Sequence, residues 1–349
     1  MSELNQTGMF DTTYDRKAMR NAVAHGTVCK KSLTLSNMLM PYPRRINPFA
    51  GEAEAAVERF AAAYRIKLPH FKTRSSMCAY LFPNATLEKL VTTGKIFALS
   101  WFIDEIADAF TLEQRASLAD VDYRIAENNL PRLVELAPIL QTGVIFSPAP
   151  TMLERATKEI ADDLASAPLY WRERFARLVG EYLALTVVSK DQQISSVVSY
   201  IPFRLRDSGM LFTCAMAEFA SGCFLPDRVY NNPVVWSMIE AVSKVGSLSN
   251  DLFSYDRERR EQTRFNLLEI LLSESPFEEA VDRSIRIINQ SVQSFMDAKA
   301  LIPNDAVGFS VALEAFIAAS WYWQIDTPRY RSIDSSFAEL RVSPSPYLG

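Results

Sequence analysis

Helix-forming segments follow one another along most of the chain, and no run of alternating apolar and polar residues between turn clusters separates them. Only 11 of the 349 residues are glycine, so the turn signals that bound short strands are few. Residues 52–64 are rich in alanine and glutamate, two strong helix formers, and they follow Asn47 and Pro48 in an order typical of a helix start. These patterns predict an all-α protein.

The predicted helices carry apolar residues on several faces, so they should surround one another in a large antiparallel bundle of about ten to twelve helices. Beyond 52–64, the long helical segments are 87–109, 153–166, 171–189, 195–219 with a break at 207–209, 234–260, 276–298 and 306–324. We divide the chain into a weakly ordered N-terminal arm (1–45), a single α-helical domain (46–335) and a C-terminal tail (336–349).

Charge and cysteine content argue against several classes of protein. The net charge is −4, from 37 basic and 41 acidic residues without a run of Lys or Arg, so nothing indicates binding to nucleic acid or to an anionic membrane. The four cysteines lack paired spacing, which argues against a disulfide framework and a zinc site. The N-terminus lacks an apolar segment of signal-peptide length, and no uninterrupted apolar run reaches about 18 residues. We therefore expect a cytoplasmic protein.

The stretch 250–258 carries three oxygen-bearing side chains on one helix face. Asn250, Ser254 and Glu258 are spaced four residues apart, so an amide, a hydroxyl and a carboxylate project in the same direction. Oxygen ligands of this kind suit Mg²⁺. Arg257 lies close to the same stripe, and a cation beside a metal site suggests a bound polyanion. From these residues alone, a metal site and a solvated helix face both remain open.

A second polar cluster lies in an apolar helical stretch, at Asp104, Glu105 and Asp108. Removing a carboxylate from water costs several kcal/mol unless it is paired or bound to a metal. Trp101 and Phe97 precede Asp104 by three and seven residues, so their rings follow the face that Asp104 and Asp108 share. These acids either form half of a site or end the helix at the solvent. The rings likewise either line a pocket or belong to the core.

Together the two stretches resemble the metal-binding motifs of class I terpene synthases. Residues 104–108 are similar to the aspartate-rich motif of this family, with Glu105 where many members have aspartate. Residues 250–258 match its asparagine-serine-glutamate motif at every defined position. Arg204 lies 46 residues before Asn250, where the family places its diphosphate-sensing arginine.

Further similarities extend the resemblance to about residues 45–331. Residues 200–209 are similar to the family's tyrosine and arginine segment, which runs into a broken helix. Trp323 looks like the family's terminal tryptophan, and Arg329 and Tyr330 look like its Arg-Tyr pair. Four signatures in this order are much more specific than any one motif.

The resemblance implies the class I terpenoid synthase fold, a helical bundle around a deep apolar cavity with the metal motifs flanking its mouth. It also implies a class I terpene cyclase, a Mg²⁺-dependent lyase that ionises a linear isoprenyl diphosphate, releases diphosphate and cyclises the resulting carbocation. We favour farnesyl diphosphate as the substrate and a cyclic sesquiterpene as the product, with three Mg²⁺ ions bound. The resemblance leaves a homodimer open.

Roles for individual residues follow from the same resemblance. The implied metal ligands are Asp104, Glu105, Asp108, Asn250, Ser254 and Glu258. The implied diphosphate-binding residues are Arg204, Arg257, Arg329 and Tyr330. The aromatic rings expected in the hydrocarbon pocket are those of Phe97, Trp101 and Trp323. The residues assigned to catalysis are Asp104, Arg204, Asp207, Ser208, Arg329 and Tyr330. Asp207 would link Arg204 to the helix break, and Ser208 would present its backbone carbonyl to the ionising carbon.

Three other functions remain open from the sequence. A diterpene cyclase would act on geranylgeranyl diphosphate, and cavity depth decides between that substrate and farnesyl diphosphate. A chain-elongating prenyltransferase would share the fold and the metal dependence, but those enzymes carry two aspartate-rich motifs. A non-catalytic helical scaffold would have no physical reason to keep the charges of both motifs together.

Overall fold

Helices account for the regular secondary structure that the computed structural model describes, in residues 33–68, 76–109, 127–188, 194–260 and 265–342. Thirteen α-helices and four 3₁₀-helices lie in these ranges, and no strand lies among them. The predicted all-α fold is therefore confirmed.

Ten of the α-helices have seven or more residues and form the bundle, in agreement with the expected number. The bounds of nine of the ten agree with the predicted long segments to within three residues at each end, and the tenth, Leu136–Thr142, was not predicted. In chain order the helices are α1 (Ala50–Ala63), α2 (Met77–Leu81), α3 (Leu87–Ala109), α4 (Leu136–Thr142), α5 (Met152–Asp163), α6 (Leu169–Val188), α7 (Val197–Asp207), α8 (Met210–Ser221), α9 (Asp227–Tyr230), α10 (Pro233–Arg260), α11 (Leu267–Leu272), α12 (Phe277–Lys299) and α13 (Val307–Asp326).

Helix α10 lies at the centre of the bundle and packs against both α12 and α13. Its 28 residues include Val245, Leu248 and Leu252, whose side chains are fully buried. Burying each such side chain stabilises the fold by roughly 1.5–3 kcal/mol. The same helix continues without interruption to Arg260, so core packing also fixes the position of the stretch 250–258.

Helix α13 is long and apolar, and together with the preceding turn it passes a length and composition test for a membrane span, over Asn304–Asp326. More than half of the tested window is buried inside the protein. Phe309, Leu313 and Phe316 are fully buried. The central helix of a globular protein passes the same test, and we describe α13 as a core helix.

The predicted break between two successive helices is confirmed at Ser208 and Gly209, where α7 gives way to α8. Gly209 has a φ of +71°, in the left-handed region that favours glycine. A Cβ atom at this position would lie only 2.7 Å from the ring of Phe212. Glycine is therefore favoured at this corner for two reasons, its positive φ and the close approach of the Phe212 ring.

The first and last described segments lie side by side. The N–H of Ala338 donates to the carbonyl of Leu33 at 2.9 Å, and the N–H of Leu33 donates to the carbonyl of Ser336 at 3.3 Å. Residues 1–32 and 343–349 lie outside the described part of the chain, so the division into arm, domain and tail stays a prediction.

Candidate active site

The C-terminal half of α10 presents the predicted oxygen donors. Ser254 is fully buried, and its hydroxyl donates to the backbone carbonyl of Asn250 at 2.6 Å. The Glu258 carboxylate accepts from Asn266 Nδ2 at 2.9 Å, and Arg257 Nη2 lies 3.7 Å from its other oxygen. Because Asn266 is the N-cap of α11, the chain after α10 folds back to hold Glu258.

Arg204, in the last turn of α7, contacts the same part of α10. Its Nε and Nη2 atoms both lie 3.0 Å from Asp251 Oδ1, and Nη2 donates to Asn250 Oδ1 at 3.2 Å. Its Nη1 atom lies 3.5 Å from the Asp207 carboxylate. Burial alone would lower the pKa of the Arg204 guanidinium, but Asp251 and the other nearby acids raise that pKa above its ordinary value. Arg204 is therefore a charged link between α7 and α10.

Asp251 is a fully buried carboxylate to which the sequence analysis assigned no role. Besides Arg204, it accepts from the Tyr200 hydroxyl at 2.7 Å and from the N–H of Leu267 at 3.2 Å. Burial raises the pKa of Asp251 to about 6, although the charge of Arg204 acts in the opposite direction. These partners offset the cost of burying the carboxylate, which in turn orients Arg204.

Tyr330 and Gln324 approach Asn250 from the end of the chain. Asn250 Nδ2 donates to the Tyr330 hydroxyl at 2.9 Å and to Gln324 Oε1 at 3.3 Å. The amide oxygen of Asn250 faces Arg204, so one side chain contacts groups from two other parts of the fold. Three of the predicted site residues, Arg204, Asn250 and Tyr330, are thus brought together.

Asp104 lies near the end of α3 and contacts Tyr182 of α6. The Tyr182 hydroxyl donates to Asp104 Oδ1 at 2.7 Å, and its ring packs against Phe212 with centroids 5.1 Å apart. Burial and the Asp104 charge raise the pKa of Tyr182 well above its usual value, so the hydroxyl keeps its proton. Glu105 is partly buried next to Asp104, and the side chain of Asp108 lies outside the described part of the structure.

The three predicted pocket aromatics occupy two places. Phe97 and Trp101 stack along α3, with ring centroids 5.3 Å apart and 25° between their planes. Phe97 is buried and Trp101 is partly exposed. Trp323 is buried, donates from Nε1 to the Ser76 hydroxyl at 3.1 Å and meets the Tyr330 ring edge-on at 6.1 Å. The Phe97 and Trp101 pair thus precedes Asp104 on its helix, and the single Trp323 ring adjoins Tyr330.

Arg329 and Ser208 lie at two corners of the backbone. Arg329 is in the 3₁₀-helix Pro328–Tyr330, and its guanidinium carbon is 5.8 Å from the centre of the Tyr330 ring. The Ser208 hydroxyl accepts from the N–H of Met210 at 3.3 Å, across the break between α7 and α8. Ser208 thus lies in the connection between α7 and α8, and Arg329 lies in the short 3₁₀-helix that follows α13.

Four residues at the site were missed by sequence reasoning: Asp251, Tyr182, Gln324 and Asn266. The signal for Asp251 was present, since it follows Asn250 within the recognised motif. The partnership of Tyr182 with Asp104 had no signal, because 78 residues separate the two in the chain. The charge of Asp207 also acts on Tyr182, so this tyrosine is near the helix break as well as the aspartate-rich helix.

A separate surface groove of about 180 Å³ lies at the other end of the same helices. Its walls include Leu81, Ala217, Ser221, Ala312 and Ala315, and none of the predicted site residues lines it. The first half of α13 faces this groove, whereas its last turn carries Trp323 and Gln324. The groove is therefore distinct from the site built around Asn250.

The donor atoms of the site fit a hard divalent cation. Asn250, Ser254 and Glu258 offer an amide, a hydroxyl and a carboxylate oxygen from successive turns of one helix, and none is a sulfur or imidazole ligand. Among the described residues, no three His, Cys, Asp or Glu side chains cluster as a metal site. A metal at this place would therefore depend on amide and hydroxyl oxygens together with Glu258.

Sequence comparison finds a family and individual relatives. Residues 95–294 match the family described as terpene synthase family 2, C-terminal metal binding, and this region is more than half of the chain. Sesquiterpene synthase 3 of Postia placenta is 28% identical over 331 residues, which cover 89% of this chain and 87% of that protein. The 7-epi-alpha-eudesmol synthase ((2E,6E)-farnesyl diphosphate cyclizing) of Streptomyces viridochromogenes is 23% identical over 276 residues, 72% of this chain and 77% of that protein.

Structural comparison agrees with the family match. The crystal structure of linalool/nerolidol synthase from Streptomyces clavuligerus superposes with a TM-score of 0.70 at 21% identity, over 82% of this chain and 99% of that chain. This likeness confirms the predicted class I terpenoid synthase fold. The family match in turn implies a divalent metal. With the motifs, the fold and the family match in agreement, the chain belongs to the class I terpene synthases, in the family with a C-terminal metal-binding domain.

Proposed function

We propose that the protein is a terpene cyclase that converts farnesyl diphosphate into a cyclic sesquiterpene and releases diphosphate. The observation that carries the proposal is the convergence of Arg204 and Tyr330 on Asn250, because the three residues come from separate elements and Asn250 contacts each of the other two directly. The choice of a fifteen-carbon substrate is supported by two relatives, one named a sesquiterpene synthase and one named as cyclising farnesyl diphosphate.

Three Mg²⁺ ions are proposed as the cofactor. Asn250, Ser254 and Glu258 would hold metal on the α10 side, and Asp104, with Glu105 and Asp108 as further candidates, would hold metal on the α3 side. When bound, Mg²⁺ stabilises the negative charge that accumulates on a departing diphosphate. The Tyr182 hydroxyl would keep the Asp104 carboxylate oriented, because it donates to Asp104 Oδ1 from a neighbouring helix.

Arginines would hold the diphosphate oxygens that the metals leave free. Arg204, Arg257 and Arg329 are suited to this task because a guanidinium makes forked contacts with phosphate, and the Tyr330 hydroxyl adds a neutral donor. Asp251 and Asp207 would keep Arg204 aimed at the substrate. When the diphosphate arrives, Arg204 would exchange its contact with the Asn250 amide oxygen for one with phosphate, which leaves that oxygen to a metal.

The corner between α7 and α8 and the aromatic rings would act on the carbon chain. Ser208 would present its backbone carbonyl to the ionising carbon. Phe97, Trp101 and Trp323 would exclude water and stabilise migrating positive charge through cation–π contacts. The proposed partners are thus an isoprenyl diphosphate and Mg²⁺, without nucleic acid or membrane. We also propose a cytoplasmic location, with a homodimer as the assembly to test by light scattering.

The test is to incubate the purified protein with Mg²⁺ and, separately, geranyl, farnesyl and geranylgeranyl diphosphate, and to analyse the organic extract by gas chromatography with mass detection. A cyclic fifteen-carbon product from farnesyl diphosphate is expected. A cyclic product from geranylgeranyl diphosphate alone would make the protein a diterpene cyclase. Longer diphosphates formed only when isopentenyl diphosphate is added would indicate a prenyltransferase, and no product from any substrate would favour a scaffold.

A further inference from the structure

Asp256 lies within the metal-binding stretch of α10 but points away from the metal ligands. It is two residues after Ser254 and two before Glu258, so helical geometry puts it about 160–200° around the axis from both. Its carboxylate is partly buried and accepts three hydrogen bonds from the C-terminal segment. The donors are the Ser335 hydroxyl at 3.0 Å, the Ser336 N–H at 2.7 Å and the Ser336 hydroxyl at 2.7 Å.

The segment that Asp256 holds is closed on itself. The N–H of Ser332 donates to the carbonyl of Leu340 at 3.1 Å, and the N–H of Val342 donates to the carbonyl of Ser332 at 3.3 Å. Ser335 and Phe337 within this loop are fully buried. Because these bonds close the loop, we expect a contact at Ser335 and Ser336 to restrain the segment that follows Tyr330.

A second anchor lies just before Arg329 and Tyr330. The Asp326 carboxylate, at the end of α13, contacts Arg44 Nη2 and accepts from the Tyr80 hydroxyl, both at 2.6 Å. Arg329 and Tyr330 therefore lie between two anchors. The first joins Asp326 to Arg44 and to Tyr80 of α2, and the second joins the later part of the segment to Asp256 of α10. Of these two, the Asp256 anchor is on the same helical turn as the oxygen donors.

We propose that Asp256 is a positioning residue that couples the metal-binding turn of α10 to the segment carrying Arg329 and Tyr330. One face of this turn would hold the metals, while the opposite face fixes the distance from those metals to the arginine and tyrosine that contact the diphosphate. This inference rests on the proposed function, because it assigns Arg329 and Tyr330 to diphosphate binding.

The hydrogen-bond pattern defines the variants. Asp256→Ala removes all three contacts. In Asp256→Asn the remaining carbonyl oxygen can accept from Ser335 and from the N–H of Ser336, while the new amide donates to the Ser336 hydroxyl, so the anchor is conserved. Glu339→Ala is the matched control. The Glu339 carboxylate fastens the same C-terminal segment by accepting from the Thr34 hydroxyl and the N–H groups of Leu35 and Ser36, without contacting α10.

The experiment measures binding of inorganic diphosphate in the presence of Mg²⁺ by calorimetry, alongside steady-state turnover of farnesyl diphosphate and circular dichroism. For Asp256→Ala we expect diphosphate affinity to fall roughly tenfold, with a matching rise in KM. Asp256→Asn and Glu339→Ala should both stay within about threefold of the wild-type affinity. Wild-type affinity in folded Asp256→Ala would overturn the inference, and so would an equal loss in Glu339→Ala, because Asp256 would then only fasten the segment.

A second variant covers the case in which Asp256→Ala does not fold. Replacing Ser335 and Ser336 together by alanine removes both hydroxyl donors and leaves the carboxylate and the backbone N–H in place. Like Asp256→Ala, this variant should bind diphosphate more weakly than the wild type, by about threefold to tenfold. Unchanged affinity would contradict the proposed coupling between Asp256 and the segment that carries Arg329 and Tyr330. Because diphosphate binding is measured without turnover, failure of the wild type to cyclise farnesyl diphosphate would count against the proposed function alone.

Discussion

Arg204 keeps its place through a planar guanidinium that contacts Asp251 and Asn250 at once. Lysine keeps the positive charge but lacks the planar set of N–H donors that contacts both partners. Arg204→Lys should therefore lower kcat for farnesyl diphosphate about hundredfold, while helical content stays unchanged. Arg206, two residues further along and exposed, supplies the matched control, and Arg206→Lys should keep near wild-type turnover. Equal turnover of the two variants would contradict the role given to Arg204.

Tyr182 affects the aspartate-rich helix through a single atom, its hydroxyl oxygen. Tyr182→Phe keeps the ring against Phe212 but removes the donor to Asp104, so Asp104 should bind metal less tightly. We expect the Mg²⁺ concentration for half-maximal activity to rise about tenfold, measured by titrating Mg²⁺ at saturating substrate. Tyr230 is also buried, and its hydroxyl has no hydrogen-bond partner among the described residues, so Tyr230→Phe should leave the Mg²⁺ requirement unchanged. Identical titrations for both variants would exclude the proposed orientation of Asp104.

The corner between α7 and α8 depends on Gly209, and a second glycine permits a controlled test. Gly143, after α4, has the same φ of +71°, but a Cβ there would meet nothing within 4 Å, whereas at Gly209 it would lie 2.7 Å from the Phe212 ring. Both alanine variants should lower the free energy of unfolding by about 1 kcal/mol for the backbone strain. Gly209→Ala should lose a further 1–3 kcal/mol or so from overpacking. Urea denaturation of both proteins measures the difference, and equal losses would mean that the ring moves aside freely.

Helices were predictable from the chain because their signals are local. The apolar pattern and helix-forming residues of 87–109 and 234–260 located α3 and α10 closely, and the Asp-Ser-Gly sequence at 207–209 located the break. The contacts between residues of the site were harder to predict from the sequence. Asn266 holds Glu258 from beyond the end of α10, and Gln324 reaches Asn250 across 74 residues. Such pairings depend on how helices pack, which no short window of residues encodes.

The stability of the whole bundle should depend on pH through a buried ion pair remote from the metal motifs. Glu218 of α8 is fully buried, and Arg174 Nη2 lies 2.7 Å from its carboxylate. Burial raises the pKa of Glu218 from 4.5 to about 7, against the opposing effect of Arg174. The folded state therefore holds this proton more tightly than the unfolded chain does. The contribution of Glu218 to the free energy of unfolding therefore falls as the pH rises from 4.5 to about 7.

Glu218→Gln removes the titrating group and should flatten the pH dependence of unfolding. Relative to the wild type, we expect the change in the free energy of unfolding between about pH 5 and about pH 7.5 to shrink by roughly 1–3 kcal/mol. Urea denaturation at the two pH values measures it. Asp227→Asn, which alters the largely exposed second partner of Arg174, should keep a slope much closer to that of the wild type, because the Asp227 charge raises the pKa of Glu218 less than burial does. Parallel pH profiles for Glu218→Gln and the wild type would disprove the assignment.

Helix α10 is both the centre of the hydrophobic core and the carrier of Asn250, Ser254 and Glu258. Its amide protons around Leu248 and Leu252 should therefore exchange with deuterium only when the whole protein unfolds. The 3₁₀-helix that carries Arg329 and Tyr330 has only three residues and is held by single side-chain contacts, such as that between Tyr330 and Asn250, so it should exchange through local opening. One wall of the site would thus persist for as long as the fold itself, while the other can release product many times within the lifetime of a single folded molecule.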